Sequence, residues 1–342
     1  MKKRTHVALF AGLGGFVAAS HRVGFETIYA NDVEPSCVKT LRATYPDLNV
    51  SYQDVTQIDP ARDLDELGPI DLLTAGFPCQ SFSGAGECKG FEDERGKLFF
   101  EIPRICKQLK VPPKVILLEN VAHLKLFDNG SRLATVLHNL RSAGYWVSSN
   151  HAMLINSKKL CGAPQNRERL FIVAYHSRHF KKNYFDFDYQ IECPEQDIWS
   201  VIKRNEVKDE NYYLPEDNKY FRLIKALSDE EGRDRVYQIR RVEVRACPEN
   251  TCPTLTANMG GGGHNVPFVL DDQGIRKLTE QECLALQGFK LDEVTFPDNI
   301  ANNQKYAMIG NAIHVDVAAA IIERIDYAKE KVSSDDRMVL SA

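Results

Sequence analysis

Cys79 directly follows a proline in GFPCQSFSGAG, at the exit of an apolar strand-like run and among small polar residues. Held there, its thiol has the exposure that a nucleophile needs and a core cysteine lacks. Glu119 closes the apolar run Val115–Leu118. A carboxyl in that setting is costly unless hydrogen-bonded, and burial raises its pKa so that it can hold or lend a proton. The competing reading is a satisfied acid that only supports its neighbours. Near the start, Val7–Phe10 runs into Ala11-Gly-Leu-Gly-Gly15-Phe16 and then a helical stretch. Glycines let the backbone turn sharply and approach a ligand, with helix amides free for its polar groups. The spacing falls short of the full dinucleotide fingerprint because Val17 stands in the third glycine's place, so the loop alone is equally a packing turn. Asp32, about 18 residues past the loop, suits ribose hydroxyls, and Asp54, one strand later, could accept from an adenine amino group. Either acid alone is as well explained by a turn or cap. Together they read as an adenosine site.

These groups share one rim only if the strands before them lie parallel. The first 175 residues alternate short apolar runs with helix-period stretches, the pattern of βαβ units, with strands expected at Val7–Phe10, Thr27–Ala30, Asn49–Tyr52, Asp71–Ala75, Val115–Glu119, Tyr145–Leu154 and Leu170–Tyr175. In such a sheet ligands bind beyond the carboxyl ends of the strands. The first five expected strands end at the glycine loop, Asn31-Asp32, Gln53-Asp54, Gly76–Gln80 and Glu119-Asn120. From about His176 to Arg245 the chain is aromatic and charged, without clear periodicity and punctuated by prolines, as in a separate and less regular module. Helical patterns return at Thr279–Leu286 and Val315–Ala328.

With 342 residues, 43% apolar and 26% charged, the chain falls among ordinary globular proteins and is long enough for two domains. Its formal net charge of −4 offers no global positive field, so any nucleic-acid binding must come from a local basic surface. Nine cysteines stand singly with no CxxC pair, and Cys247 and Cys252 lack a second pair at zinc-site spacing, so no metal is expected. No signal peptide and no apolar run near 18 residues is read, which points to a reducing cytoplasm and no membrane partner.

The blocks FAGLGGF, GFPCQSFSGAG, RGKLFFE, ENV, QNRERLFIVAY, PTLTANMGGGGHNVP, KLTEQECLALQGF and YAMIGNAI follow one another along the chain. In these blocks and their order it resembles the cytosine-C5 DNA methyltransferases of bacterial restriction–modification type. The stretch from about 180 to 245 has no counterpart and corresponds to the family's target-recognition segment. The resemblance implies an α/β fold: a doubly wound, Rossmann-like S-adenosylmethionine-dependent methyltransferase fold with a smaller, irregular target-recognition domain. Residues 1–180, completed by 305–330, would form the catalytic and cofactor domain, 181–304 the DNA-binding domain and 331–342 a tail. Cys79 would add to C6 of cytosine, Glu119 would hydrogen-bond N3 and the exocyclic amine, Arg169 would sit at O2 and Arg167 would orient the site. Gln80 and Ser83 resemble loop residues that close over DNA beside the extruded base. For S-adenosylmethionine, Phe10, Gly12, Leu13 and Gly14 match the family's loop around the methionine part, Asp32 the ribose acid, and Asp54 and Val55 the adenine site, with Val33, Pro78, Leu98, Asn311 and Ala312 completing the cofactor-binding set.

Extruding a base must be offset by DNA contacts. Arg233, Arg235, Arg240, Arg241 and Arg245 with Tyr237 and Gln238 are the expected source, although Asp234 and Glu243 dilute the field and a solvated charged face competes. Thr256, Asn258, Gly260 and Gly261 resemble a recognition loop. His314 is expected to be structural. The implied partners are double-stranded DNA and a cognate restriction endonuclease without a stable complex, with the chain itself monomeric. A tRNA cytosine-C5 methyltransferase is the first rival, but its usual Pro-Pro-Cys-Gln loop and Cys-Phe-Thr tripeptide are absent. A silent DNA-binding relative would not need Cys79, Glu119 and Arg169 together. A nicotinamide oxidoreductase leaves the C-terminal blocks unexplained.

Overall fold

The computed structural model describes residues 3–78, 97–188, 193–240, 243–260 and 265–331. Strands β1 (Thr5–Leu9), β2 (Glu26–Asp32), β3 (Val50–Tyr52), β4 (Leu72–Gly76) and β5 (Val115–Val121) lie parallel in the order β3-β2-β1-β4-β5. The three central strands are buried over nearly their whole length, as parallel strands covered on both faces must be. Strand order reverses between β1 and β4, which opens a crevice at the carboxyl ends. Beyond β5 the direction changes. β8 (Glu168–His176) runs antiparallel to β5, and β6 (Tyr145–Trp146) and β7 (Ala152–Asn156) both pair with β8. The single strand expected over Tyr145–Leu154 is thus two strands, divided by a turn at Ser149–His151 in which the Ser148 amide donates to His151 Nδ1 at 3.0 Å.

Alternation along the strands sends side chains to two covers. Leu73, Ala75, Ile116, Leu118 and Ile172 pack against α3 (Glu101–Gln108) and α4 (Ser131–Ser142) through Ile102, Ile105, Val136 and Leu140. Leu72, Val115, Leu117 and Val173 face the other way, toward Phe16 and Ala19 of α1 (Gly15–Arg22), while α2 (Pro35–Thr44) seals the β1–β3 end through Val38 and Leu41. Inside the sheet, His6 spans three strands. Its Nδ1 lies 2.9 Å from Thr27 Oγ1 and its Nε2 2.8 Å from Thr74 Oγ1, and burial lowers its pKa to about 3, so it stays a neutral bridge.

The stretch expected to be irregular has order of its own. A four-stranded antiparallel sheet, β10-β9-β11-β12, is built from β9 (Tyr237–Arg240), β10 (Glu243–Ala246), β11 (Pro267–Leu270) and β12 (Ile275–Lys277). Helix α5 (Lys219–Glu231) packs Ile224 against Tyr237, Ile239 and Phe268, and its first turn is capped by Asn218, which accepts from the Tyr220 amide at 2.9 Å. This sheet is fastened to α6 (Glu280–Leu286) by a buried ion cluster. Arg276 Nε donates to Asp271 at 2.7 Å, and its two terminal nitrogens each donate to Glu282 at 2.8 Å. Glu282 also closes the α6 capping box by accepting from the Thr279 amide, and Asp271 accepts from the Gln273 and Gly274 amides. Buried charges persist only when every lone pair is used in this way.

Helices α7 (Asn302–Asn311) and α8 (Val315–Glu323) return to the large sheet, α8 through Val317, Ile321 and Ile322 in the same cluster as Phe16. The 22-residue stretch Asn302–Glu323 is apolar enough by composition to cross a membrane, yet it breaks at Ala312–His314 and 67% of its most apolar window is buried in the core. α8 ends at Glu323, five residues before the helix expected from the pattern. Phe180, Phe185 and Ile198 join this cluster, as do Leu278 and Leu286, so one core runs continuously past residues 181 and 304. Glu282→Ala should strand the Arg276 guanidinium with half of its partners and cost about 3–5 kcal/mol of stability, the usual penalty for breaking a buried pair. Denaturant unfolding of the variant against the unaltered protein measures it, and a loss near zero would show the cluster to be dispensable.

Candidate active site

Antiparallel pairing of β5 and β8 sets Glu119 opposite Phe171 and Val121 opposite Arg169. Residues two apart on adjacent strands share a face, so Arg169 reaches Glu119 diagonally, its Nε 3.2 Å from Oε1. Glu119 is buried, and desolvation raises its pKa above the ordinary 4.5 even though Arg169 and Arg167 both pull it down. On its other side β4 contributes only Gly76, paired with Glu119 in register, where a β-carbon would stand 3.6 Å from Oε2. Asn120 donates from Nδ2 to the Phe77 carbonyl at 3.1 Å. Phe77-Pro78, the last described residues before Cys79, are therefore pinned beside the acid.

Arg167 is buried and held by carbonyls, donating to Leu255 at 3.0 Å, Gly310 at 3.2 Å and Ala312 at 2.6 Å. Burial, with Arg169 next to it, pushes its pKa far down. Its Nε has no hydrogen-bond partner among the described residues. Gln165, which the sequence reading passed over as a functional group, donates to the Leu286 carbonyl and to Gln287 Oε1 at 2.8 and 3.1 Å. It also accepts from the Leu255 amide at 3.1 Å. The block spelling QNRER was the signal for it. His314, at the N-cap of α8, is buried against Gly288, and burial with the charges of Arg167 and Arg22 lowers its pKa to about 3. It fills space as a neutral ring.

The expected cofactor residues gather at the β1, β2 and β3 ends. Phe10 leaves β1 with φ +52°, a left-handed backbone that costs a residue other than glycine on the order of 1–3 kcal/mol and that clusters at ligand sites. Gly12 follows at φ +56°, and a β-carbon there would meet nothing within 4 Å. That open space fits a ligand pressed against the backbone. Asp32 accepts from the Gly12 amide at 2.7 Å and the Glu34 amide at 2.8 Å, so its carboxylate is fixed under the loop, while burial raises its pKa. Val33 next to it is 58% exposed. Asp54 caps the turn Val55–Gln57, accepting from the Thr56 amide at 2.8 Å. Leu13 and Val55 are buried. Leu98 is half-buried, and Asn311 is exposed beside buried Ala312. Gly14 is packed, its absent side chain replaced by Leu41 and Tyr45.

Cys79, Gln80, Ser83, Arg241 and Gly261 lie outside the described residues. Of the expected DNA contacts, Arg233, Arg240 and Arg245 are exposed and Arg235 is half-buried. Tyr237 and Gln238 are corrected: both are interior. The Tyr237 ring is part of the small sheet's core and its hydroxyl donates to the Gly232 carbonyl, while Gln238 accepts from Arg245 at 3.1 Å. Thr256 and Gly260 are half-buried, each with one side of its backbone against the C-terminal helices. A β-carbon on Gly260 would stand 2.6 Å from the Tyr306 ring, and one on Gly310 would stand 2.2 Å from the Thr256 carbonyl carbon. Asn258 is exposed. Five cysteines are buried, whereas Cys193 is exposed and Cys161 half-buried. Among the described residues no group of three or more His, Cys, Asp and Glu could hold a metal ion.

A doubly wound sheet of order 3-2-1-4-5, an antiparallel β8, a glycine loop with open space over Gly12 and an acid–arginine pair on β5 and β8, two strands on from β1, define a methyltransferase fold of the S-adenosylmethionine class. The model of the C-5 cytosine-specific DNA methylase family matches residues 5–327, and the chain belongs to that family of DNA (cytosine-5-)-methyltransferases. Among curated relatives it is similar to the Type II methyltransferase M.Bsp6I of Bacillus sp. (strain RFL6), 38% identical over 323 residues that cover 93% of this chain and 97% of the relative. It is also similar to M.HhaI of Haemophilus parahaemolyticus, 30% identical with 93% of each chain covered. In fold it matches the Dnmt2 methyltransferase of S. pombe, with a TM-score of 0.70, 18% identity, and 94% and 98% of the two chains covered.

Because native Glu119 holds its proton more tightly than the unfolded chain does, its contribution to stability should fall as pH climbs from the ordinary 4.5 through the raised value and level off above it. Glu119→Gln lacks this titration. Its stability relative to the unaltered protein should therefore rise across that window, whatever constant offset the lost Arg169 pairing adds. Unfolding midpoints of both proteins between about pH 4 and pH 8 test the sign, and a difference that stays flat or falls would contradict it.

Proposed function

We propose that this chain methylates C5 of a cytosine within a specific sequence of double-stranded DNA, with the base turned out of the helix and Cys79 bonded to its C6 during the reaction. The observation that carries this reading is the buried Glu119–Arg169 pair, with the Phe77-Pro78 exit anchored beside it and Cys79 next in the chain. Cytosine C5 is too weak a nucleophile to take a methyl group unaided. Addition of the Cys79 thiolate to C6 pushes electron density onto C5, and Glu119, whose raised pKa suits it to share a proton with N3, steadies the charge that this addition develops. Arg169 serves O2 of the ring, and Arg167, locked on three carbonyls, keeps that wall of the pocket in place. Once C5 is methylated, loss of its proton to a base expels the thiolate and restores Cys79.

S-adenosylmethionine, the donor that the family implies, supplies an electrophilic methyl group. Phe10, Gly12, Leu13, Gly14, Pro78, Asp32, Val33, Asp54, Val55, Leu98, Asn311 and Ala312 would hold it. Gly12's open face and the fixed Asp32 carboxylate support that assignment. Ring-face attack requires the base out of the stack, at a cost of about a few kcal/mol. Arg233, Arg235, Arg240, Arg241 and Arg245, with Thr256, Asn258, Gly260 and Gly261, are proposed to offset it, and Gln80 and Ser83 to close over the opening. Residues 1–180 with 305–330 would form the catalytic domain and 181–304 the DNA-reading domain. The chain would act as a monomer in the bacterial cytoplasm, opposite a cognate endonuclease.

Cys79→Ala should abolish methyl transfer while leaving cofactor and DNA binding intact, and an oligonucleotide carrying 5-fluorocytosine should be trapped on the unaltered protein as an adduct mapping to Cys79. Turnover by the variant, or an adduct at another residue, would end the mechanism. Glu119→Gln should slow transfer by about 100-fold or more, the share of a lost acid–base group. An unchanged rate would reduce Glu119 to a structural acid.

A further inference from the structure

The turn Val55–Gln57 that carries the proposed adenine contacts is a single 3-10 turn of three residues, too short to hold its own shape. It is capped in front by Asp54 and closed behind by the Ile58 amide donating to the Val55 carbonyl at 3.3 Å. A side chain from a distant segment completes it. Arg104, on α3, donates from one terminal nitrogen to the Val55 carbonyl at 3.2 Å and the Ile58 carbonyl at 3.1 Å. Its other terminal nitrogen donates to Gln108 at 2.8 Å, and Nε donates to Glu101, so every nitrogen of the fork is engaged and its direction is set. The arginine thus ties the first residue of the turn to the residue just after it, through the second lone pair of the Val55 carbonyl and through the Ile58 carbonyl. The same helix starts just after the turn Leu98–Phe100, whose Leu98 is also a proposed cofactor residue and whose Phe99 packs on Phe77 with ring centroids 5.3 Å apart.

We infer that Arg104 is a positioning residue for the adenine end of the cofactor, fixing the Asp54–Val55 backbone through the two carbonyls that it clamps. The inference rests on the proposed cofactor site and adds to it a residue that touches neither substrate nor donor. Arg104→Met should weaken S-adenosylhomocysteine binding, measured by titration calorimetry, by about tenfold, the scale of losing charge-assisted hydrogen bonds. KM for S-adenosylmethionine should rise in step, with kcat at saturating cofactor and KM for DNA unchanged. Arg104→Lys keeps the charge but cannot serve both carbonyls as a fork does, so it should fall between the two, and it carries the test if the Met variant does not fold. Arg141→Met supplies the control, since Arg141 likewise donates to a backbone carbonyl, that of Val147 at 3.3 Å, on a helix outside the proposed cofactor site, and its loss should leave the affinity alone. Wild-type affinity in Arg104→Met, equal weakening in Arg104→Met and Arg141→Met, or a fall in kcat with KM unmoved would each overturn the inference. Unaltered protein that fails to bind S-adenosylhomocysteine would overturn the cofactor site, and this inference with it, and is told apart because the loss then appears before any substitution.

Discussion

A carboxyl at the buried end of a strand can be kept only if cations are delivered to it from another part of the chain, and at Glu119 the sheet's change of direction does this. β4, the parallel neighbour, brings only Gly76 alongside, which has no side chain to offer. β8 arrives from the opposite direction, so the start of that strand, where Arg169 lies and just before which Arg167 lies, meets the end of β5. Had β8 been parallel, the same arginines would stand at the far end of the sheet. The acid therefore sits between a strand that offers it no side chain and a strand that offers it a cation, while its burial keeps the pKa raised against the pull of the arginines.

That pair is in turn fixed by contacts far away in sequence. Arg167 ends on the carbonyls of Leu255, Gly310 and Ala312, and Gln287 donates to the Ile309 carbonyl at 2.7 Å while Gln165 donates to Gln287. The turn between α7 and α8 is held by these side chains, and Ile313 within it fills the place of the side chain that Gly15 lacks, 2.7 Å from where its β-carbon would stand. Consequently the glycine loop of the first strand, the β8 arginines and the C-terminal helices are one packed unit. A substitution at Gln165 or Gln287 would therefore act on the glycine loop and on the acid–arginine pair together, although it lies in neither.

The parallel half of the fold was legible because buried strands and amphipathic helices obey different periods, and β1, β2, β3, β4 and β5 fall within a few residues of their expected bounds. Glu119 was legible because an acid ending the run Val115–Leu118 contradicts that run. The division of β6 from β7 was not, since the intervening turn is made by a Ser–His capping contact rather than by glycine or proline. α5 was missed although Phe221, Ile224 and Ser228 stand at helical spacing, because the charged residues around them mask a narrow apolar stripe. Tyr237 and Gln238 were misplaced for the converse reason. Set among arginines they look solvated, but their strand is buried from Tyr237 through Ile239, on both faces, by packing that only the tertiary structure supplies. Arg276, flanked by Ile275 and Lys277, gives no sign in sequence of being fully buried, as its partners lie five residues before it and six after.

The arginines assigned to DNA divide by the company they keep. Arg235 is spent on the protein itself: it donates to the Glu231 and Cys247 carbonyls and pairs with Glu249 at 3.1 Å, and Arg233 donates to the Asp271 carbonyl at 3.0 Å. A cation already neutralised by an acid and held by carbonyls releases little when it meets a phosphate. Arg240 and Arg245, on the paired strands β9 and β10, bond instead to neutral side chains, Asn265 at 2.7 Å and Gln238 at 3.1 Å, which orient the guanidinium groups, while Glu243 stands opposite Arg240 in the register and offsets part of that charge. In a chain of net charge −4, attraction to DNA has to be local, and cations oriented by neutral partners, as Arg245 is by Gln238, would supply it at lower entropic cost than free ones. The interior position of Gln238 is consistent with this, since its buried amide accepts from Arg245 and fixes that guanidinium from behind.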